Sequence, residues 1–168
     1  MKIDIRHAHP QDLAAIHEMF ISSHVIDGTM RIPYHSLAYI EKRIEPSDSM
    51  SKLVACVDNK VVGYAELATH PDAPRHHHVG EINIMVVNSK WQGKGVGGAL
   101  LRSMIDLAEN WMQITRLSLV VWSSNESAIS LYRKNGFELE GTMKQFVFKE
   151  GKYEDALLMA RTIKLLFF

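Results

Sequence analysis

The sequence is poor in crosslinking sulfur and carries no surplus of charge. A single cysteine, Cys56, excludes an internal disulfide and fits a reducing cytoplasm. The 19 basic and 19 acidic side chains cancel, so nothing in the composition marks a nucleic-acid partner or an anionic membrane as a target. The opening "MKIDIRHAHP" has no apolar signal segment, and no stretch approaches membrane-spanning length. Repeats, low-complexity tracts and linkers are also missing. What is present is the profile of one globular domain over residues 1–168, 46% hydrophobic and 23% charged, long enough to bury a real core.

Alternation in "KIDIRHA" predicts a first strand, and Pro10 with Asp12 suits the start of a helix carrying Leu13, Ile16, Met19 and Phe20. Residues 24–50 are less regular, with a short helix expected around Ser36 to Arg43. "KLVACVDN" and "KVVGYAELATH" read as a hairpin turning near Asp58 and Asn59, and "HVGEINIMVV" as another strand. A helix starting near Gly97 should bury Leu100, Leu101, Met104, Ile105, Ala108 and Trp111 along one face. "RLSLVVW" follows as a strand, then a helix in "NESAISLYRKNGF" closed by Gly136, then two strands around Glu150 and Gly151. The order predicts a mixed α/β domain rather than a regular alternation of strand and helix.

Four of the ten glycines fall in "WQGKGVGGAL", residues 91–100. Gly93, Gly95 and Gly98 spell G-x-G-x-x-G, but a dinucleotide loop follows its strand directly and an acid ends the next strand. Here Asn88 to Trp91 intervene, and "RLSLVVWSS" ends without Asp or Glu. A Walker loop fails as well, for want of Gly-Lys-Ser/Thr. A glycine loop that opens a helix still suits a pyrophosphate, because small residues admit the anion and free N–H groups point at it. A plain helix-capping turn fits the loop equally well.

The second motif separates these readings. Gln92, Gly95 and Gly97 spell Q-x-x-G-x-G, and after one further strand Asn125, Tyr132, Gly136 and Phe137 spell N-x₆-Y-x₃-G-F. The pair, with the element order, resembles the GCN5-related N-acetyltransferase (GNAT) family across nearly the whole chain. "FELEGTMKQFVFKEGKYEDALLMAR" is similar to members that acetylate free amino acids or small amines. The resemblance implies a mostly antiparallel central sheet flanked by helices, acetyl-CoA as co-substrate and no metal.

In that family the loop matched by Gln92, Gly93, Lys94, Gly95, Val96, Gly97 and Gly98 binds the coenzyme A pyrophosphate through backbone N–H groups. The strand before it splays from its neighbour, and the edge matched by Met85, Val86 and Val87 pairs with pantetheine and polarises the acetyl oxygen. Asn125 matches a coenzyme A contact, although asparagine also caps helices well. Tyr132 borders the cofactor and is the implied proton donor to the leaving thiolate, a role open to a phenol with an unperturbed pKa of about 10. Glu81 occupies a strand where several members carry the base that deprotonates the amine. It reads equally well as a solvated acid. Strict alternation puts it on one face with Asn83 and Met85, a parity that a bulge would alter.

His76, His77 and His78 fit no closed zinc pattern and read as a solvated loop. Cys56 has no motif partner that would make it an acetyl-carrying nucleophile. The apolar tail "IKLLFF", residues 163–168, either packs on the domain or buries itself in a second copy as a homodimer. The expected activity is therefore transfer of acetyl to a small-molecule amine, in a ternary complex. Two alternatives remain: a non-catalytic acyl-CoA sensor, and an enzyme that acetylates a protein N-terminus or lysine. Acceptor specificity is expected in residues 24–50, 66–79 and 143–155.

Overall fold

The structure, a computed structural model, describes residues 1–163. Strand β1 (Asp4–His7) runs through a 3-10 turn at Pro10–Asp12 into helix α1 (Leu13–Phe20). Asp12 is only 6% exposed; it accepts two bonds from Arg6, at 2.7 and 2.8 Å, and one from the His9 N–H at 2.7 Å. Those donors hold its carboxyl below the ordinary range, the Arg6 hydrogen bonds foremost. Helices α2 (Ser23–Gly28) and α3 (Leu37–Ile44) follow, and Ser36 caps α3 by accepting the Tyr39 N–H. Helix α2 has no counterpart among the sequence-based expectations. It is six residues long with one buried side chain, Val25, too short to show a period.

Strands β2 (Met50–Val57) and β3 (Lys60–Thr69) form a hairpin. Its turn places both Asp58 and Asn59 at positive φ, as the twist of paired strands favours. Strand β4 (Val79–Val87) precedes helix α4 (Val96–Asp106), then come β5 (Arg116–Trp122), α5 (Glu126–Lys134), β6 (Glu138–Lys149) and β7 (Lys152–Thr162). The sheet has seven strands in the order β1-β2-β3-β4-β5-β7-β6, and only β4 and β5 run parallel.

Both faces of the sheet are covered. Leu100, Leu101 and Met104 of α4 and Ala108 just beyond it fill one core, together with Leu67, Leu119 and Phe137. Ile16 and Phe20 of α1 and Ile40 of α3 fill the other, against Val54, Tyr64 and Val86. One expected core residue is misplaced: Trp111 is 76% exposed. Residues Leu107–Trp111 widen into a π turn, which shifts the helical phase so that the stripe ends at Ala108.

A bulge in β4 settles the parity of that strand. Leu67 pairs with Ile82 and Glu66 with Ile84, which leaves Asn83 as the extra residue. Ile82 therefore packs in the α4-side core and Ile84 in the α1/α3-side core, although they are two positions apart. Met85 packs on the α4 side. Simple alternation from Glu81 through Asn83 to Met85 does not hold.

Candidate active site

Strands β4 and β5 pair only from Val79 to Ile82, opposite Arg116 to Leu119. Beyond that point they separate and a cleft opens. Its two parts, about 370 and about 800 Å³, share Gly28, Met85, Trp122, Asn125 and Ala128, and so form one continuous space. Both volumes lie in the range of small-molecule sites.

The larger part ends at the glycine loop. A 3-10 turn at Ser89–Trp91 takes up the residues between β4 and the first glycine. Gly93 and Gly95 sit at φ +71° and +85°, a region that side-chain-bearing residues rarely adopt. Gly95 caps α4, and the first bond of this register runs from the Ala99 N–H to the Gly95 carbonyl at 3.0 Å. The N–H groups of Val96, Gly97 and Gly98 therefore precede the helical ladder and are available to an anion, which the helix dipole also favours. Gln92, Gly93, Gly95, Gly97 and Gly98 line the cleft. The Val96 side chain is 1% exposed in the core, so this residue can offer only its backbone. The Lys94 ammonium lies over the Trp91 ring at 4.9 Å and does not line the cleft.

Met85 and Val87 line the side of the cleft, whereas the Val86 side chain packs between the sheet and α1. Of this strand edge, the Val87 carbonyl already accepts a hydrogen bond from His24 Nε2 at 2.8 Å. Asn125 caps α5 by accepting the Ala128 N–H at 3.2 Å, and it also borders both parts of the cleft. Tyr132, two turns further along α5, borders the smaller part and is 7% exposed. Its ring packs on Phe137 at 5.8 Å, and burial pushes its phenol up to about 12. A phenol so placed stays protonated at every physiological pH and keeps a proton to give.

Glu81 borders the same smaller part, with its side chain 53% exposed and its carboxylate 3.9 Å from His70 Nε2. The sequence reading overlooked a buried polar cluster beside it. Glu66, 1% exposed, accepts from Tyr64 Oη at 2.7 Å and Asn83 Nδ2 at 2.6 Å, and it pairs with Arg43 at 2.6 and 2.7 Å. The one signal for it in the sequence was an acid within an otherwise apolar strand, "GYAEL". Cys56 is buried in the α1/α3-side core and burial pushes its thiol up, the opposite of an activated nucleophile. His76, His77 and His78 are exposed, and among the described residues no three His, Cys, Asp or Glu side chains converge as metal ligands.

The loop after α2 forms a wall of the cleft. The Trp122 indole N–H donates to the Asp27 carbonyl at 3.0 Å and the Thr29 hydroxyl to the Val25 carbonyl at 2.7 Å. Gly28 to Arg31 thereby border the space between β4 and β5.

A glycine loop that opens a helix, two parallel strands that separate and a buried phenol all border one cleft, the layout of a site for a phosphate-bearing cofactor and a small second substrate. The Acetyltransferase (GNAT) family matches residues 13–137, and the chain belongs to it. It is an acetyl-CoA-dependent N-acetyltransferase. The L-amino acid N-acetyltransferase AaaT of Escherichia coli is 38% identical over 95% of this chain and 98% of its own length. The spermidine N(1)-acetyltransferase of Escherichia coli is 26% identical over 94% of this chain and 84% of its own. Among solved structures, a phosphinothricin acetyltransferase from Sinorhizobium meliloti in complex with AcCoA superposes with a TM-score of 0.85 at 27% identity, covering 97% of this chain and 89% of that one. Among the described residues no helix is long and apolar enough to cross a membrane.

Proposed function

We propose that this enzyme transfers the acetyl group of acetyl-CoA to the α-amino group of a free amino acid, by direct attack with both substrates bound. The observation that carries this reading is the single cleft running from the glycine loop to Tyr132 and Glu81. Its larger part, about 800 Å³, suits the cofactor arm and its smaller part, about 370 Å³, a small acceptor. Similarity to the Escherichia coli amino-acid enzyme over almost all of both chains supports the acceptor class.

In this mechanism the N–H groups of Val96, Gly97 and Gly98 hold the pyrophosphate, and Asn125 contacts the cofactor. The edge at Met85 to Val87 aligns pantetheine, and a backbone N–H there polarises the acetyl oxygen, worth about 2.7–4 kcal/mol for such a donor. The amine nitrogen bonds to the acetyl carbon and the carbon–sulfur bond breaks. Glu81 takes the proton lost by the amine, and Tyr132 gives one to the departing sulfur. None of these steps needs a metal. The chain acts as one domain in the cytoplasm. It pairs as a homodimer through the apolar tail of residues 163–168, whose positions 164–168 lie outside the described residues.

The test is thiol release from acetyl-CoA across a panel of L-amino acids, spermidine, an aminoglycoside and a peptide. The reading expects an amino acid to be the best acceptor. A peptide or polyamine turned over far faster than every amino acid would overturn the acceptor class, and binding of coenzyme A without thiol release from any amine would return the chain to a sensor role.

A further inference from the structure

We propose that Arg31 anchors the carboxylate of the acceptor and so makes the cleft select free amino acids over amines that lack an acid group. This rests on the amino-acid reading above and names the residue that enforces it.

The first support is charge. Two guanidinium groups, Arg31 and Arg43, converge on the Tyr39 hydroxyl, which accepts from them at 2.6 and 3.3 Å. The buried Glu66 carboxylate is fully engaged, taking bonds from Arg43, Tyr64 and Asn83, and Glu81, on the same part of the cleft as Arg31, faces His70. Among the described residues Arg31 makes no ion pair. The side-chain partner it has among the described residues, the neutral Tyr39 phenol, leaves its positive charge without a counterion. The Arg31 Nε is also buried with no hydrogen-bond partner. An uncompensated, partly desolvated guanidinium is costly unless an anion joins it. The neighbouring His35, stacked on Tyr39 at 4.1 Å, belongs to the same cationic cluster: burial first, then the charges of Arg31, Arg43 and His17, hold its pKa below the usual range.

The second support is position. Arg31 borders the 370 Å³ part of the cleft, the part that also contains Glu81, Met85 and Tyr132. Its backbone is fixed, since its N–H donates to Thr29 Oγ1 at 3.2 Å and the Thr29 hydroxyl is tied back to α2. A planar guanidinium matches a carboxylate with paired, charge-assisted bonds. In an α-amino acid one carbon separates the carboxylate from the amine. A carboxylate docked at Arg31 therefore keeps the amine in the space that holds Glu81 and Tyr132. A polyamine would bring a second cation to the same unpaired charge and be repelled.

The experiment compares matched acceptors, each L-amino acid against its own C-terminal amide, together with spermidine and a peptide, on the native enzyme and on Arg31→Gln and Arg31→Lys. Native enzyme should prefer acid to amide by about 10- to 100-fold in kcat/KM, the value of a hydrogen bond to a charged group. Arg31→Gln should lose most of that preference through KM for the acid, with KM for acetyl-CoA unchanged, and Arg31→Lys should restore part of it. Equal use of acids and amides by the native enzyme overturns the inference without needing any variant, as does a preference that survives Arg31→Gln. If amides or spermidine are acetylated as fast as acids, the carboxylate anchor fails while amine acetylation stands. If only the peptide is acetylated, the amino-acid reading fails and the anchor with it.

Discussion

Replacing Tyr132 by Phe deletes one hydroxyl and little else. The ring is 7% exposed and keeps its packing on Phe137, so the fold should tolerate the change. The stability cost should be small, because among the described residues the Tyr132 hydroxyl has no hydrogen bond to lose and burial alone perturbs it. Affinity for acetyl-CoA should change little, because the proposed cofactor contacts come mainly from the glycine loop and the β4 edge. Turnover should fall by about 10²–10⁴, the range for a positioned general acid. At 1.36 kcal/mol per tenfold, that is about 2.7–5.4 kcal/mol of barrier. The pH profile adds an independent check. Burial places the Tyr132 phenol at about 12, so it remains a proton donor through pH 10. The native rate should climb with pH as the amine loses its proton, with no falling limb from Tyr132 below about pH 10. The assay is steady-state thiol release with saturating acetyl-CoA, from pH 6 to 10, for both proteins. Full activity in Tyr132→Phe would assign the proton to water or another group. A descending limb near pH 9 that vanishes in the variant would refute the raised pKa.

Glu81→Gln should lower the rate at neutral pH and cost less at high pH, where more of the amine is already unprotonated; an equal loss at all pH values would remove Glu81 as the base. Gly95→Val should weaken coenzyme A binding and also cost about 1–3 kcal/mol of stability, because a β-branched residue is strained at φ +85°. Coenzyme A should raise the melting temperature of the native protein far more than that of the Gly95→Val variant, and NAD should raise neither; equal shifts would remove the loop from the site. Asp12→Asn should destabilise by about 1.5–3 kcal/mol at pH 7, as Arg6 loses a charged partner. Asp12 titrates below its unfolded value in the native state, so its stabilisation is present above about pH 4 and is lost as pH falls through the folded pKa. The gap between native and variant should therefore close in acid urea titrations.

The elements that mark the family were legible because their residues are constrained by backbone geometry. Gly95 must adopt positive φ, Asn125 must cap α5, and paired turn residues must bend the two hairpins. The acceptor side was far less legible. Helix α2 is too short to show a period, yet it carries the loop that brings Arg31 to the cleft. The bulge at Asn83 reverses which residues of β4 face which core, and no local composition announces it. Glu66 and Arg43 meet across 23 residues of sequence, a long-range pairing that periodicity cannot reveal. Trp111 fits the apolar stripe of α4 on paper and leaves it because the last turn widens.

Direct attack of the amine on the thioester, as proposed, requires acetyl-CoA and an amino acid to occupy the cleft together. Initial rates of thiol release with both substrates varied distinguish this from an acetyl-enzyme route. Direct attack gives intersecting double-reciprocal lines and leaves no acetyl group on the protein after exposure to acetyl-CoA alone. Parallel lines, with acetyl retained on Cys56 or another side chain, would contradict it.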